Sequence, residues 1–321
     1  MTTLASRLRS GASHAAGLLL VLLGVSLLTF ALQLLAPGDP AEVLLRARAE
    51  NPDPGRVAEL RAQMGLDRPW PVQYLAWLGR AARLDLGRSL RSGEPVAVEI
   101  AARLPATLEL AGAAFVLVVI LSSLSGFWAA LRPDAAADRL PRWLSLLLVS
   151  LPAYWLGLLL IYGLALGLGW LPAAGRDGWT SLVLPALTLA LGVAAMQGRI
   201  LRAGVLEALG QDYVRFAHAK GLGRGRVLGV HVMRGVLGPM LALWGMTLGH
   251  LLGGAVVVET VFAWPGLGRL LVEAVLGRDM PLVQGLVLSM TVALVAASQA
   301  ADLIAARLDP RRLEPAGHGP A

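Results

Sequence analysis

Cysteine is absent from this chain of 321 residues, which removes disulfides, thiolate metal sites and thiol nucleophiles at one stroke. Charge is scarce as well. Asp, Glu, Lys and Arg make up 15% of the residues, while 56% are hydrophobic; an average soluble domain carries about 25% charged residues. Lysine is nearly missing. The one lysine, Lys220, stands between Ala219 and Gly221, so the Gly-Lys-Ser/Thr loop that cradles nucleotide phosphates cannot be written anywhere in the chain. A nucleotide that drives this protein is therefore expected on a partner. Neither GxSxG nor HExxH occurs, and Ser122, Ser123, Ser125 and Ser289 read as small polar residues at helix–helix contacts. Hydrolase chemistry has no residues to run on.

What the chain does have is apolar length. Several runs reach the roughly 20 residues that cross a bilayer as a helix, which makes this an all-α, polytopic membrane protein. The spans are expected at 15–36, 104–131, 143–169, 181–198, 240–258 and 281–306, with Pro152 kinking the third. The first run is too long for the apolar core of a cleaved signal and is read as a retained helix. Net charge is +7. In a membrane chain such an excess marks the cytoplasmic side rather than nucleic acid. Six spans with both termini cytoplasmic put the short Arg-rich segments inside; five would not. The reading is thus a tail and first span over 1–36, an external insertion over 37–100, a membrane core over 101–306 and a cytoplasmic tail over 307–321. Within the insertion, Trp70, Tyr74 and Trp77 suit a small helix lying at interfacial depth.

Between the fourth and fifth spans lies a polar, basic island, residues 206–239, overlapping a cytoplasmic loop read at 203–235. Asp212 is placed to cap a short helix that ends at Gly221 in a left-handed turn, with Lys220 in the last turn. Tyr213, Phe216, Ala217 and Lys220 follow i, i+3, i+4, i+7 spacing and are expected to share one face. A short helix with an aromatic face and no core of its own is built to be gripped by another protein.

The spans are nearly bare of ionisable groups, which argues against a gradient-driven transporter with paired mid-membrane charges. His250 and Glu259 come nearest, and Glu109 and Asp302 sit near helix ends, where snorkelling or capping explains them. His250 and Met246 are the residues assigned to a translocation path; as packed core polar and filler residues they need no such role. An autonomous channel or gradient-driven secondary transporter is the alternative reading, and no metal or cofactor site is expected on this chain.

The segment DYVRFAHAKGL followed by Pro239 resembles the ATPase-coupling loop of permease subunits in bacterial ABC importers of the dipeptide/oligopeptide/nickel type, first-permease kind. LLAPGDPAE, GLDRPWPVQYLAWL, LDLGRSL, LPATLELA, LPAAG, ETVFAWPGLGRL, RDMPLVQG and LDPR match in the same order along nearly the whole chain. The resemblance implies a multi-pass subunit of the bacterial inner membrane. Its partners would be a second permease, two ATP-binding subunits holding the ATP, an external substrate-binding protein and membrane lipid, with no nucleic acid. It also implies that Asp212, Tyr213, Phe216, Ala217, Ala219, Lys220 and Gly221 form the ATPase contact, and that the cargo is a peptide or nickel. One departure is Gly235, where the family carries Asn before the proline; this is expected to loosen the second half of the loop. Another is Ala305 or Ala306, where the family carries Tyr.

Overall fold

The computed structural model describes residues 2–35, 39–47, 51–131 and 136–308, and among them there are helices and one isolated bridge, Arg88 to Pro95, but no strand. The chain runs α1 (Thr2–Leu35), α2 (Pro40–Ala47), α3 (Pro54–Met64), α4 (Trp70–Ala81), α5 (Val96–Leu131), α6 (Ala136–Ser150) and α7 (Ala153–Leu160). After α7 comes a π-helical stretch, Ile161–Gly167. Then follow α8 (Trp179–Leu209), α9 (Asp212–Ala219), α10 (Arg224–Arg226), a second π-helical stretch (Val227–Val232), α11 (Met233–Val261), α12 (Leu267–Leu276) and α13 (Met280–Leu308).

Among the described residues, five helical segments are long and apolar enough to cross a membrane: Ala16–Leu35, Val96–Leu131, Trp179–Leu209, Val227–Val261 and Met280–Ala300. A sixth is formed if Pro141–Ser150 and Ala153–Gly167, bent by 111° at their junction, count as one span. Pro152 does break the third apolar run, as its missing N–H requires. The result is a sharp corner rather than the kinked rod expected from composition. Prolines 105, 185 and 239 sit inside α5, α8 and α11. Leu19, Leu20, Leu28 and Leu35 on α1, Leu124 and Trp128 on α5, and Met246 on α11 are exposed. Apolar surface on that scale needs lipid or partner helices, not water.

The described chain divides into two compact units, 1–106 with 265–295, and 107–264 with 296–321. In the first unit, α4 leans on α1. Trp77 is buried, and Tyr74 shares a 2.9 Å hydrogen bond with Ser26 and packs edge-on against Phe30. Of the three aromatics Trp70 is exposed, Tyr74 half-buried and Trp77 buried. A second core in this unit gathers Val96, Ile100, Leu267, Leu270, Ala274, Leu282 and Leu286. Asp279 joins it to the turn before α5. Its carboxylate caps α13 by accepting from the Leu282 N–H at 3.3 Å, and it receives the Ser89 hydroxyl at 2.5 Å. The Asp-Met-Pro spelling, a cap residue followed by proline in the first turn, was the legible sign of this.

In the second unit α8 is the axis, packed by α6, α7 and α11. It also comes close to α5 at one point. A Cβ on Gly126 would lie 2.8 Å from the Gly198 carbonyl oxygen, so these two glycines let the backbones touch.

Candidate functional site

The polar island folds as a short helix packed against one end of the second unit. Gly210 ends α8, and Gln211 turns extended at ψ 150°. The N-cap position of α9 therefore belongs to Gln211, which makes no side-chain cap bond. Asp212 is the first helical residue instead. There its charge still suits the positive end of the helix, but it pairs with Arg215 at 3.4 Å in full solvent view, an interaction worth little.

The far end is well made. The Gly221 N–H donates to His218 C=O at 2.9 Å, and the Leu222 N–H donates to Ala217 C=O at 3.2 Å. These two bonds close a Schellman turn around Gly221, whose φ is +75°. Lys220 is the C-cap rather than part of the last turn.

The faces differ from the expected grouping. Val214 and Ala217 are buried, in one cluster with Leu201, Val205, Ala208, Val227, Val232, Val236 and Met240. Full burial of a valine contributes about 1.5–3 kcal/mol, enough to hold so short a helix in place. Ala217 thus belongs to the inward side. Tyr213 at 43% and Phe216 at 69% exposure lie on the outward side, along with Asp212, Arg215, Ala219, Lys220 and Gly221. Arg226 and Arg234 are exposed nearby in sequence, so an aromatic pair stands in a mostly basic setting. Gly235 lies inside α11, where a Cβ would sit 3.2 Å from the Tyr213 hydroxyl. The glycine makes room for the tyrosine.

Met246 and His250 occupy adjacent turns of α11 and are both exposed, so they share a face. Among the described residues no group of three or more His, Asp or Glu side chains could hold a metal ion. Asp302, Ala305 and Ala306 lie on α13, their side chains outside the description, and most of the LDPR segment lies beyond the described residues.

Opposite α9, at the other end of the second unit, three of the sequence segments converge. Glu259, in the last turn of α11, is fully buried, and its Oε1 accepts from Thr107 Oγ1 at 2.7 Å. Arg176 donates from Nε and Nη2 to Glu109 Oε2 at 2.9 and 2.5 Å. The Gly175 N–H reaches Phe262 C=O at 2.9 Å. These residues are far apart in the chain, and only long-range pairing reveals the junction.

A bundle of apolar spans with a short, solvent-facing helix anchored at one end defines a class, the multi-pass transport component. Comparison with known proteins gives the family. Residues 106–314 match the binding-protein-dependent transport system inner membrane component, and residues 12–111 match the N-terminal part of the same kind of membrane component. A Brucella abortus protein named as a peptide transport system permease is 40% identical over 299 residues, 91% of this chain and 94% of its own length. The glutathione transport system permease protein GsiC of Escherichia coli K12 is 39% identical over 295 residues, 92% of this chain and 95% of its own. Among solved structures, the inward-facing MetNI methionine ABC transporter aligns with TM-score 0.57 at 16% identity, covering 67% of this chain and 99% of that one. An amino acid ABC transporter solved with histidines aligns with TM-score 0.54 at 16% identity, covering 66% and 94%.

The chain belongs to the binding-protein-dependent transport system inner membrane component family. It is a permease subunit of an ABC importer, a membrane component and not an enzyme, and the family implies ATP-binding and substrate-binding partners.

Proposed function

We propose that this permease imports short peptides across the bacterial inner membrane, with α9 as the helix gripped by the ATP-hydrolysing subunit. The observation that carries the reading is the exposed Tyr213–Phe216 pair on a helix whose other side is locked into the core. An exposed aromatic pair offers a large apolar area that is stabilising once a partner pocket covers it. The Schellman turn at Gly221 and the buried Val214 hold the pair rigid, so force on α9 passes into α8 and α11 instead of bending a loop. A second permease, two ATP-binding subunits and an external binding protein complete the assembly, and the termini lie in the cytoplasm with α9.

Peptide cargo is supported by the names of relatives at 39–40% identity over most of the chain, one a peptide and one a glutathione permease. Glutathione is itself a small peptide. Nickel is the competing cargo, and uptake decides between them. Proteoliposomes holding the assembled importer, its binding protein inside the assay and ATP in the lumen-equivalent compartment are offered labelled di- and tripeptides, glutathione or labelled nickel. ATP-dependent accumulation of a peptide supports the proposal; accumulation of nickel alone overturns the cargo. In the same assembly, Phe216→Ala is expected to weaken capture of the ATP-binding subunit by about 30-fold, the size of a 2 kcal/mol hot spot. Unchanged capture and uptake would remove α9 from the interface.

A further inference from the structure

We infer that Arg176 is a positioning residue for transport, which with Glu109 latches the loop before α8 onto the end of α11 farthest from α9. The inference rests on the importer reading above.

The turn after α11 is strained and closed rather than slack. Ala263 takes φ +50°, a left-handed conformation that an alanine holds only when its surroundings impose it. Phe262 and Trp264 are buried at 1% and 0% exposure, and the Trp264 N–H donates to Glu259 C=O at 2.8 Å. Glu259 brings a carboxylate into this buried turn and ties it to α5 through Thr107. Such a group in a membrane-spanning helix is a costly feature kept for a purpose.

The loop is strapped on by two further contacts. Gly175 bonds the Phe262 carbonyl, and the Arg176 guanidinium lies 5.7 Å from the centroid of the Trp264 ring. From that seat Arg176 reaches Glu109 of α5 with two donors. One arginine therefore joins α5, the loop and the end of α11. Its side chain and that of Glu109 are 41% and 39% exposed, and a pair so open to solvent adds little to stability. What it supplies is register.

The helix being held is the one α9 packs against. α11 is continuous over 29 residues, about 43 Å at the α-helical rise. Its first turns place Val236 and Met240 in the same cluster as Val214 and Ala217 of α9. A rigid element clamped at both ends transmits displacement; released at one end, it lets that displacement dissipate.

The test uses the whole importer in proteoliposomes with its binding protein and measures ATP hydrolysed per cargo molecule accumulated. Three forms are compared with the parent: Arg176→Gln, Glu109→Gln, and the reciprocal exchange Glu109→Arg with Arg176→Glu. Each single variant is expected to co-purify with its partners in full yield while the ATP-to-cargo ratio rises about 5-fold or more, the lower range of allosteric coupling. The exchange is expected to recover only part of the loss, because it renews the charge pair with Glu109 but not the guanidinium's seat over Trp264. An unchanged ratio in the single variants overturns the inference, and so does a fall in hydrolysis and uptake in parallel with lost assembly, because that marks a structural role only. If the parent assembly itself shows no cargo-stimulated hydrolysis, it is the importer reading that fails, not the latch.

Discussion

At the scale of single residues, backbone conformation decides which positions tolerate change. Gly221 sits at φ +75° with open space around it, so its requirement is torsional and not steric. A residue with a Cβ in the left-handed region costs roughly 1–2 kcal/mol. Gly221→Asp is therefore expected to loosen the end of α9 and cut uptake several-fold while leaving the amount of permease in the membrane unchanged. Gly221→Asn, which tolerates that region better, is expected to retain more activity. Transport assays on the two variants with quantified membrane levels check the ranking; equal loss in both would point to crowding against a partner instead. Gly221 was readable from the residues, since Gly after a short basic helix is the usual stop. Gly235 was not. Its meaning depends on Tyr213, 22 positions earlier in the chain, and the contact exists only once α9 has folded back on α11.

At the scale of elements, helix existence was legible and helix ends and faces were less so. Apolar length alone announced α5, α8, α11 and α13, because a run that must hide its backbone from lipid has little choice but to be helical. The same argument failed to foresee the 111° corner between α6 and α7, since proline reports a broken hydrogen bond and not the angle that follows. The face of α9 was misjudged for a related reason. Periodicity grouped Ala217 with the aromatics, but its small side chain fits the core beside Val214. The α5–α8 crossing gives a test at this scale. Gly126→Ala is expected to destabilise the purified importer by about 1–3 kcal/mol, the usual cost of overpacking, because the added methyl meets backbone that cannot yield. Gly112→Ala on the same helix, with nothing within 4 Å, is expected to be neutral or slightly stabilising. Thermal unfolding of both variants in detergent measures the difference, and a neutral Gly126→Ala would deny the close approach.

At the scale of the whole molecule, exposed leucines and tryptophans on the membrane helices leave apolar faces that a lone chain in water could not sustain. With a single lysine and no phosphate loop, the chain has no means of its own to use ATP. The purified permease alone in liposomes is expected to show neither nucleotide hydrolysis nor gradient-driven peptide flux above empty vesicles. Flux without partners would favour the channel or secondary-transporter alternative.

Composition and order along the chain determined the class of this protein, its helical character, the lack of a Gly-Lys-Ser/Thr loop, and the position of the short helix α9. Those properties follow from local quantities: apolar run length, residue type and spacing within a few turns. Tertiary structure alone decided which side of α9 faces out, that Glu259 is buried beside Thr107, and that Arg176 meets both Glu109 and Trp264. Each of those depends on helices distant in sequence arriving at the same place, and no local pattern encodes that meeting.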